Sequence, residues 1–278
     1  MTPHRRSLNA TNRPSMLDHV TPVILTFNEE ANIKRTLSSL SWAKQIAVVD
    51  SGSTDSTLRI LAGDPRITVF SRKFDSHGAQ WMFAITQTNV CTDWILRLDA
   101  DYVLTGELQN EIAQLDPSAP ASAYNIAFDY AIYGRRLRAS LYPAKPVLFR
   151  KGCGSCFDRG HTEVWNIDGP VAELKGRILH DDRKRVTDWI TTQARYVTRE
   201  FSDLEGGRTS SIKRVLRLRP PLMPLLSFMY CLFFKGLILD GRAGLFYSLQ
   251  RLLNETALAL IVLEDRLQSP SDSAQNQK

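Results

Sequence analysis

The first hundred residues carry a rhythm that few folds accommodate. Four short apolar runs, "VTPVILTF" (20–27), "QIAVVD" (45–50), "ITVFS" (67–71) and "DWILRL" (93–98), alternate with stretches of helical spacing. The runs are rich in Val and Ile and bounded by polar residues, as buried strands are. "EEANIKRTLSSL" (29–40), "SGSTDSTLRILAG" (51–63), "GAQWMFAITQT" (78–88) and "TGELQNEIAQL" (105–115) read as helices or as a turn followed by a helix. Asn28 and Ser53 are placed to cap two of them, and Gly52 to make a turn. Such alternation with short connections predicts an α/β domain on a mainly parallel sheet with helices on both faces.

Open sheets of this kind bind ligands beyond the carboxyl ends of their strands. Those positions should then be polar, and they are. Thr26, Asn28, Glu29 and Glu30 follow the first run, and Asp50 to Asp55 the second. Arg72 and Lys73 follow the third, and Asp99 and Asp101 the fourth. Capping alone would account for Asn28 and Ser53. It does not account for Asp50, which ends an apolar run, or for two aspartates separated by one alanine. Residues two apart on an extended chain point the same way, so Asp99 and Asp101 face one point past the strand. Two carboxylates there repel unless a cation neutralises them. Mg²⁺ or Mn²⁺ takes one or two carboxylates and completes its shell with water and phosphates. That cofactor would stabilise a departing diphosphate.

Together, "VILTFNEEANIKRTLSSL", "IAVVDSGSTDST", "GAQWMFA" and "DWILRLDAD" resemble the family 2 glycosyltransferases, whose fold is the Rossmann-like GT-A. Within that family the chain looks most like bacterial lipopolysaccharide-core and exopolysaccharide glycosyltransferases. The resemblance is specific over residues 20–115 and looser through "GHTEVWNIDGPVAELKGRILH" (160–180) and the helix after it. It implies inverting transfer of a sugar from a nucleotide diphosphate, most commonly a UDP-sugar, to a glycan or lipid-linked acceptor. By that resemblance Thr26, Asn28 and Glu29 line the nucleobase and ribose pocket, Asp50 binds the base, and Arg72 sits near the nucleotide. Asp99 contacts ribose or metal, and Asp101 holds the metal at the diphosphate. Many members use an aspartate of a Glu-Asp pair as base. This chain has no such pair there and offers "HTE" instead, with Glu163 as the expected base and His161 next. His180 reads either as a further metal ligand or as a hydrogen-bonded core histidine.

Two other classes fit the same residues less well. A sugar nucleotidyltransferase would carry a glycine-rich phosphate loop after the first strand, where this chain has "TFNEEAN". A non-catalytic membrane adaptor on a decayed transferase would have lost Asp50, Asp99 or Asp101, and all three are present.

Beyond residue 115 the pattern is less regular. "SAYNIAFDYAIYG" (122–134), "VLFR" (147–150) and "LKGRILHDD" (174–182) read as strands, and 186–204 as a helix. Trp165 and Tyr142 are sized to stack on sugars or to fill a core. Arg135, Arg136 and Arg138 form a basic loop suited to a phosphorylated acceptor or to plain solvation. Cys153 and Cys156 make one CxxC, half a zinc site unless His161 joins it. Residues 222–234 lack any charge but are shorter than the ~20 residues a span requires, and 245–263 read as an amphipathic helix. With Arg214, Arg217 and Arg219 upstream, and a net charge of +6, this segment suits an anionic membrane surface. No nucleic-acid-binding motif accompanies the charge. The expected organisation is a tail (1–19), a transferase domain (20–205) whose nucleotide-binding and acceptor halves meet at 115/116, a membrane-associating helical segment (206–268) and a second tail (269–278). Residues 1–19 lack an apolar core of signal-peptide length, which predicts a cytoplasmic protein peripheral to the inner face of the inner membrane.

Overall fold

The computed structural model describes residues 15–159, 162–206, 211–219 and 222–268. The four apolar runs form β1 (Val20–Thr26), β2 (Ile46–Asp50), β3 (Ile67–Ser71) and β4 (Trp94–Asp99). They pair in parallel in the order β3-β2-β1-β4. Helices α1 (Ile33–Ser38), α2 (Thr57–Leu61) and α3 (His77–Thr86) make the connections. Val20, Ile24, Val48, Leu96 and Leu98 belong to a core on one face. Val23, Ala47, Val49 and Ile95 belong to a second core that α3 covers with Trp81, Ala84 and Ile85.

Past β4 the sheet becomes mixed. It continues through β5 (Tyr102–Leu104), α4 (Gly106–Ala113), β6 (Ala123–Ile132), β7 (Arg135–Arg136), β8 (Lys145–Arg150) and β11 (Val171–His180). The full order is β3-β2-β1-β4-β8-β6-β11-β5, with β7 beside β6. β8 runs antiparallel to both β4 and β6, whereas β6 and β11 are parallel. The mainly parallel sheet expected from the sequence therefore describes the first half only. Between them in sequence, β9 (Gly154–Arg159) and β10 (Thr162–Ile167) form a separate antiparallel hairpin. It packs on α3, where a Cβ on Gly78 would lie 2.9 Å from the Phe157 and Asp158 backbone.

Several local expectations are corrected. Asn28 and Ser53 cap no helix: α1 follows Asn32 and α2 follows Ser56. Asn28 instead takes a left-handed conformation at φ 53°. Its side-chain oxygen accepts the Thr54 N–H. Residues 15–19 are not tail. Ser15 and Asp18 form a reciprocal capping box on a short 3-10 turn, and Met16 is fully buried. Cys156 is buried against α3, and Cys153 is not bonded to it. A CxxC zinc site would need His161, which lies outside the described residues.

Helix α5 (Val186–Glu205) leads to α6 (Ser211–Arg217), α7 (Leu222–Met229), a π-helical continuation (Tyr230–Phe234) and α8 (Gly241–Gln268). Arg217 is not a surface cation as the sequence suggested. It is buried, bonded to Glu200 of α5 and to Glu255 of α8. This pins the C-terminal helices to the domain. Among the described residues no single helix is long and apolar enough to cross a membrane. The pair Leu222–Phe234 and Leu237–Gln268, bent by 70°, reaches the length and apolar composition of a span only when taken together.

Candidate active site

The site forms where the parallel strands end. Asp50 sits at the tip of β2, and its carboxylate accepts four hydrogen bonds. Gly52 and Ser53 N–H groups reach Oδ1 at 2.9 and 2.8 Å, and the Thr26 and Ser53 hydroxyls reach Oδ2 at 2.9 and 2.5 Å. A carboxylate has about four acceptor positions, so Asp50 is saturated by its own loop and by Thr26 of the neighbouring strand β1. The left-handed φ of Gly52, +92°, makes the turn that aims those N–H groups. Around it, the segments after β1 and β2 are laced together. Asn28 N–H donates to Ser53 Oγ, and Glu29 N–H to Thr57 Oγ1. Arg72, at the end of β3, is held by Asp75 and Gln80. Gln80 also donates to Ser51, which ties Arg72 to the same loop.

Asp99 and Asp101 face the ends of β10 and β11. Burial raises the Asp99 carboxyl above its usual range, and the nearby charges of Glu163 and Asp101 add to this. Burial also opposes ionisation of Asp101, but the charge and hydrogen bond of His180 outweigh it and hold that carboxyl low. His180 Nε2 lies 3.0 Å from Asp101 Oδ2. The imidazole is packed among Tyr102, Tyr130 and Tyr142, with ring centroids 4.7 to 5.2 Å away. Burial would discharge it, yet the Asp101 carboxylate raises its pKa. His180 is therefore a mostly buried, hydrogen-bonded histidine whose partner is Asp101.

No three His, Cys, Asp or Glu side chains among the described residues converge as a ready-made metal cage. A Mg²⁺ or Mn²⁺ that borrows ligands from a diphosphate does not require one. Asp101 Oδ1 is buried and has no hydrogen-bond partner. An orphaned carboxylate oxygen beside a like charge is what a divalent cation would satisfy, so the residues fit the expected cofactor.

Glu29 links the two groups of residues. Burial raises its carboxyl to about 7, the Lys184 ammonium opposes this, and the Asp101 charge adds to it. Lys184 Nζ lies 2.6 Å from Glu29 Oε1. Asn32 bonds Asp182, and Arg35 bonds Asp181. The segment after β11 is thereby closed against the segment after β1.

Glu163 projects from β10 into a pair of cations. Lys145 Nζ is 3.1 Å from Oε1 and Arg97 Nη1 is 3.5 Å away. Burial would raise its carboxyl, but Lys145 and Arg97 hold it down at about 2. His161 lies outside the described residues. Trp165 meets Trp81 edge-on, lies tilted against Phe149 and has the Arg97 guanidinium over its ring, so it packs against the core rather than standing free as a sugar platform. Tyr142 accepts a hydrogen bond from Lys145, pairs with the Tyr102 hydroxyl and packs on His180. It thus connects Glu163 to Asp101.

The sequence reading missed Lys145, Arg97 and Lys184. Arg97 had a visible signal: a charge inside an apolar strand, two residues before Asp99 and on the same face. Lys145 and Lys184 sit beside loops with no pattern to mark them.

Residues 21–151 match the Glycosyl transferase family 2 model. An uncharacterized glycosyltransferase of Rickettsia bellii is 37% identical over 107 residues, 38% of this chain and 35% of that protein. The matched stretch is thus about a third of the Rickettsia relative's length. The lipopolysaccharide core biosynthesis glycosyltransferase LpsC of Rhizobium meliloti is 26% identical over 238 residues, covering 80% of this chain and 83% of that one. Among solved structures, S. aureus TarS residues 1–349 in complex with UDP aligns over 90% of this chain and 92% of that one, with a TM-score of 0.48 and 13% identity.

Proposed function

We propose that this chain, which carries a family 2 glycosyltransferase domain across residues 21–151, moves one sugar from a nucleoside diphosphate, most simply UDP, to a cell-envelope glycan or lipid-linked acceptor with inversion. The carrying observation is the convergence of the Asp50 loop, Glu29, Asp99 and the Asp101–His180 pair at the carboxyl ends of four parallel strands. The name of the Rhizobium meliloti relative LpsC, a lipopolysaccharide core biosynthesis glycosyltransferase, supports the acceptor class.

In this reading the loops after β1 and β2 receive the nucleoside. Asp50 organises them, because its acceptor positions are filled from within. Asp101 Oδ1 would hold a divalent cation, with Asp99 beside it, and His180 would keep Asp101 oriented through Oδ2. That cation would neutralise charge on the departing diphosphate. Lys184 lies where it can exchange Glu29 for a phosphate oxygen. Glu163 is ionised at neutral pH, as a base must be. Its low pKa makes it weak, so it takes the acceptor proton late, once the attacking oxygen has begun to bond the anomeric carbon. Lys145 must then move off the carboxylate or share it.

Membrane association belongs to the same proposal. Phe233, Phe234, Leu239, Leu260 and Leu267 are all more than half exposed on the C-terminal helices. Lys235 and Arg242 stand beside them. Such a face suits the cytoplasmic surface of the inner membrane.

Calorimetric titration of UDP, GDP and dTDP, each with and without Mn²⁺, tests the donor assignment, with Asp101→Asn as control. Metal-dependent binding of one nucleotide, lost in the variant, is the expected result. Binding of none would return the chain to the adaptor reading.

A further inference from the structure

The β6 strand has a gap on one edge. Its ladder with β8 ends at Ile126, opposite Lys145, and pairing resumes where Leu137 N–H reaches Tyr130 and β7 takes over. Residues 138–144 leave the ladder in between. A cavity of about 220 Å³ fills the gap, lined by Asp129, Tyr130, Arg138, Ser140, Tyr142 and Arg177, with the β6 backbone at its base. Pockets for whole ligands usually exceed about 300 Å³, so this one suits a single headgroup rather than a nucleotide sugar.

Its charge is biased. Arg177 reaches Phe128 O and Asp129 Oδ1, each at 3.3 Å, and Arg136 also pairs with Asp129. Arg138 pairs with Asp240, in the turn before α8. The charged side chains that line the cavity are two guanidinium groups, Arg138 and Arg177, and one carboxylate, Asp129, which leaves one positive charge in excess. The Arg138 and Arg177 side chains are 45% and 48% exposed, so neither is locked into its present pairing.

The location is specific. Tyr142 is a wall of the cavity, and the same ring touches His180 while its hydroxyl meets Lys145. On the other side, Arg138 leads through Asp240 to the exposed apolar face at Ile238 and Leu239. The cavity therefore lies between the proposed reaction centre and the proposed membrane-facing surface.

We infer that this gap is an acceptor subsite for an oxyanion, a phosphate or carboxylate carried by the acceptor unit, held by Arg177 and Arg138 with Ser140 beside them. The inference rests on the transferase reading for the word acceptor. The anion site itself stands on the cavity and its charges.

The test follows the arginine Nε–H signals of the labelled full chain by NMR during titration with glucose 6-phosphate, glucose, and vesicles of phosphatidylglycerol in phosphatidylcholine. UDP with Mn²⁺ is titrated into the same samples. Glucose 6-phosphate is expected to shift Arg177 and Arg138 where glucose does not. Arg177→Gln should weaken this by about tenfold or more, the loss of one charge-assisted contact. Asp129→Asn should strengthen it several-fold by releasing Arg177 and Arg136. Opposite signs in the two variants exclude simple misfolding as the cause. A response to the sugar phosphate assigns the anion to the glycan, and one to the vesicles alone assigns it to a lipid headgroup. If neither shifts these arginines, or if both variants bind like the native chain, the subsite is overturned. UDP binding that survives such a failure leaves the transferase reading intact, and loss of UDP binding alone would remove that reading but not the anion site.

Discussion

Two carboxylates at opposite ends of this site are held in opposite ways. Asp50, in the nucleotide half, is satisfied by Thr26 and by residues two and three positions away from it. Glu163, in the acceptor half, is satisfied by cations 18 and 66 positions away. The first arrangement is built mainly by a turn, with one hydroxyl from the adjacent strand. The second is built only when β4, β8 and β10 have come together. A local hydrogen-bond nest gives a rigid, preorganised binding wall. A long-range ion cluster gives a tunable group whose ionisation depends on its neighbours.

The largest expected effect lies at the seam between the halves, where the segment after β4 meets the end of β11. Asp101→Asn keeps the size of the side chain but removes the charge that holds His180 and the proposed cation. Turnover should fall by about 10²–10³-fold, as when one preorganised charge-stabilising group is lost. Initial rates at saturating donor measure it, and a loss below tenfold would mean that Asp101 is structural.

Next is Lys145→Met, aimed at the acceptor half. Removing one partner of a buried pair leaves the other uncompensated, typically at about 3–5 kcal/mol. Arg97 remains near Glu163, so the lower end is expected in urea unfolding. Burial would then dominate at Glu163 and move its pKa upward. The acid limb of the pH–rate profile for donor hydrolysis should shift to higher pH if Glu163 is the base. An unmoved limb would assign the base elsewhere. The linkage sign is that of a depressed acid. In the native chain the pair contributes stability that is present above 4.5 and is lost as the pH falls toward about 2.

The same contrast explains what was legible in the sequence. The strands β1 to β4 and the location of Asp50, Asp99 and Asp101 could be read because apolar runs and polar ends are local patterns. The β9–β10 hairpin could not, since "GCGSCFDRGHTEVW" has neither strict alternation nor a turn signal that separates it from a loop. Nor could the antiparallel insertion of β8 between β4 and β6, which depends on partners about 25 and 50 residues distant. Capping was misread at Asn28 and Ser53 because both side chains are used between loops rather than within a helix. That choice is made by tertiary packing and leaves no mark in composition.

Gly78→Ala tests whether the acceptor half can be detached from the nucleotide half. The added methyl would lie 2.9 Å from the Phe157 and Asp158 backbone, and backbone yields less readily than a side chain. Overpacking of this kind costs about 1–3 kcal/mol, and the hairpin carrying Glu163 should bear it. Amide exchange should quicken in β9 and β10 while UDP affinity stays near the native value. Equal loosening of β1 to β4 would show that the two halves are one cooperative unit.

Asp50→Asn should have the smallest effect and separates two roles most sharply. The amide keeps an oxygen for the Gly52 and Ser53 N–H groups. Its nitrogen faces the Thr26 and Ser53 hydroxyls, and hydroxyls can rotate to accept as well as donate. About 1 kcal/mol of stability should be lost, the net worth of one ordinary hydrogen bond. If Asp50 only orders its loop, UDP affinity should change by no more than a few-fold. If its carboxylate binds the nucleobase directly, the amide presents a donor where an acceptor is required, and affinity should fall by about tenfold or more. The four internal hydrogen bonds favour the smaller change, because a direct contact would have to displace one of them before it could form.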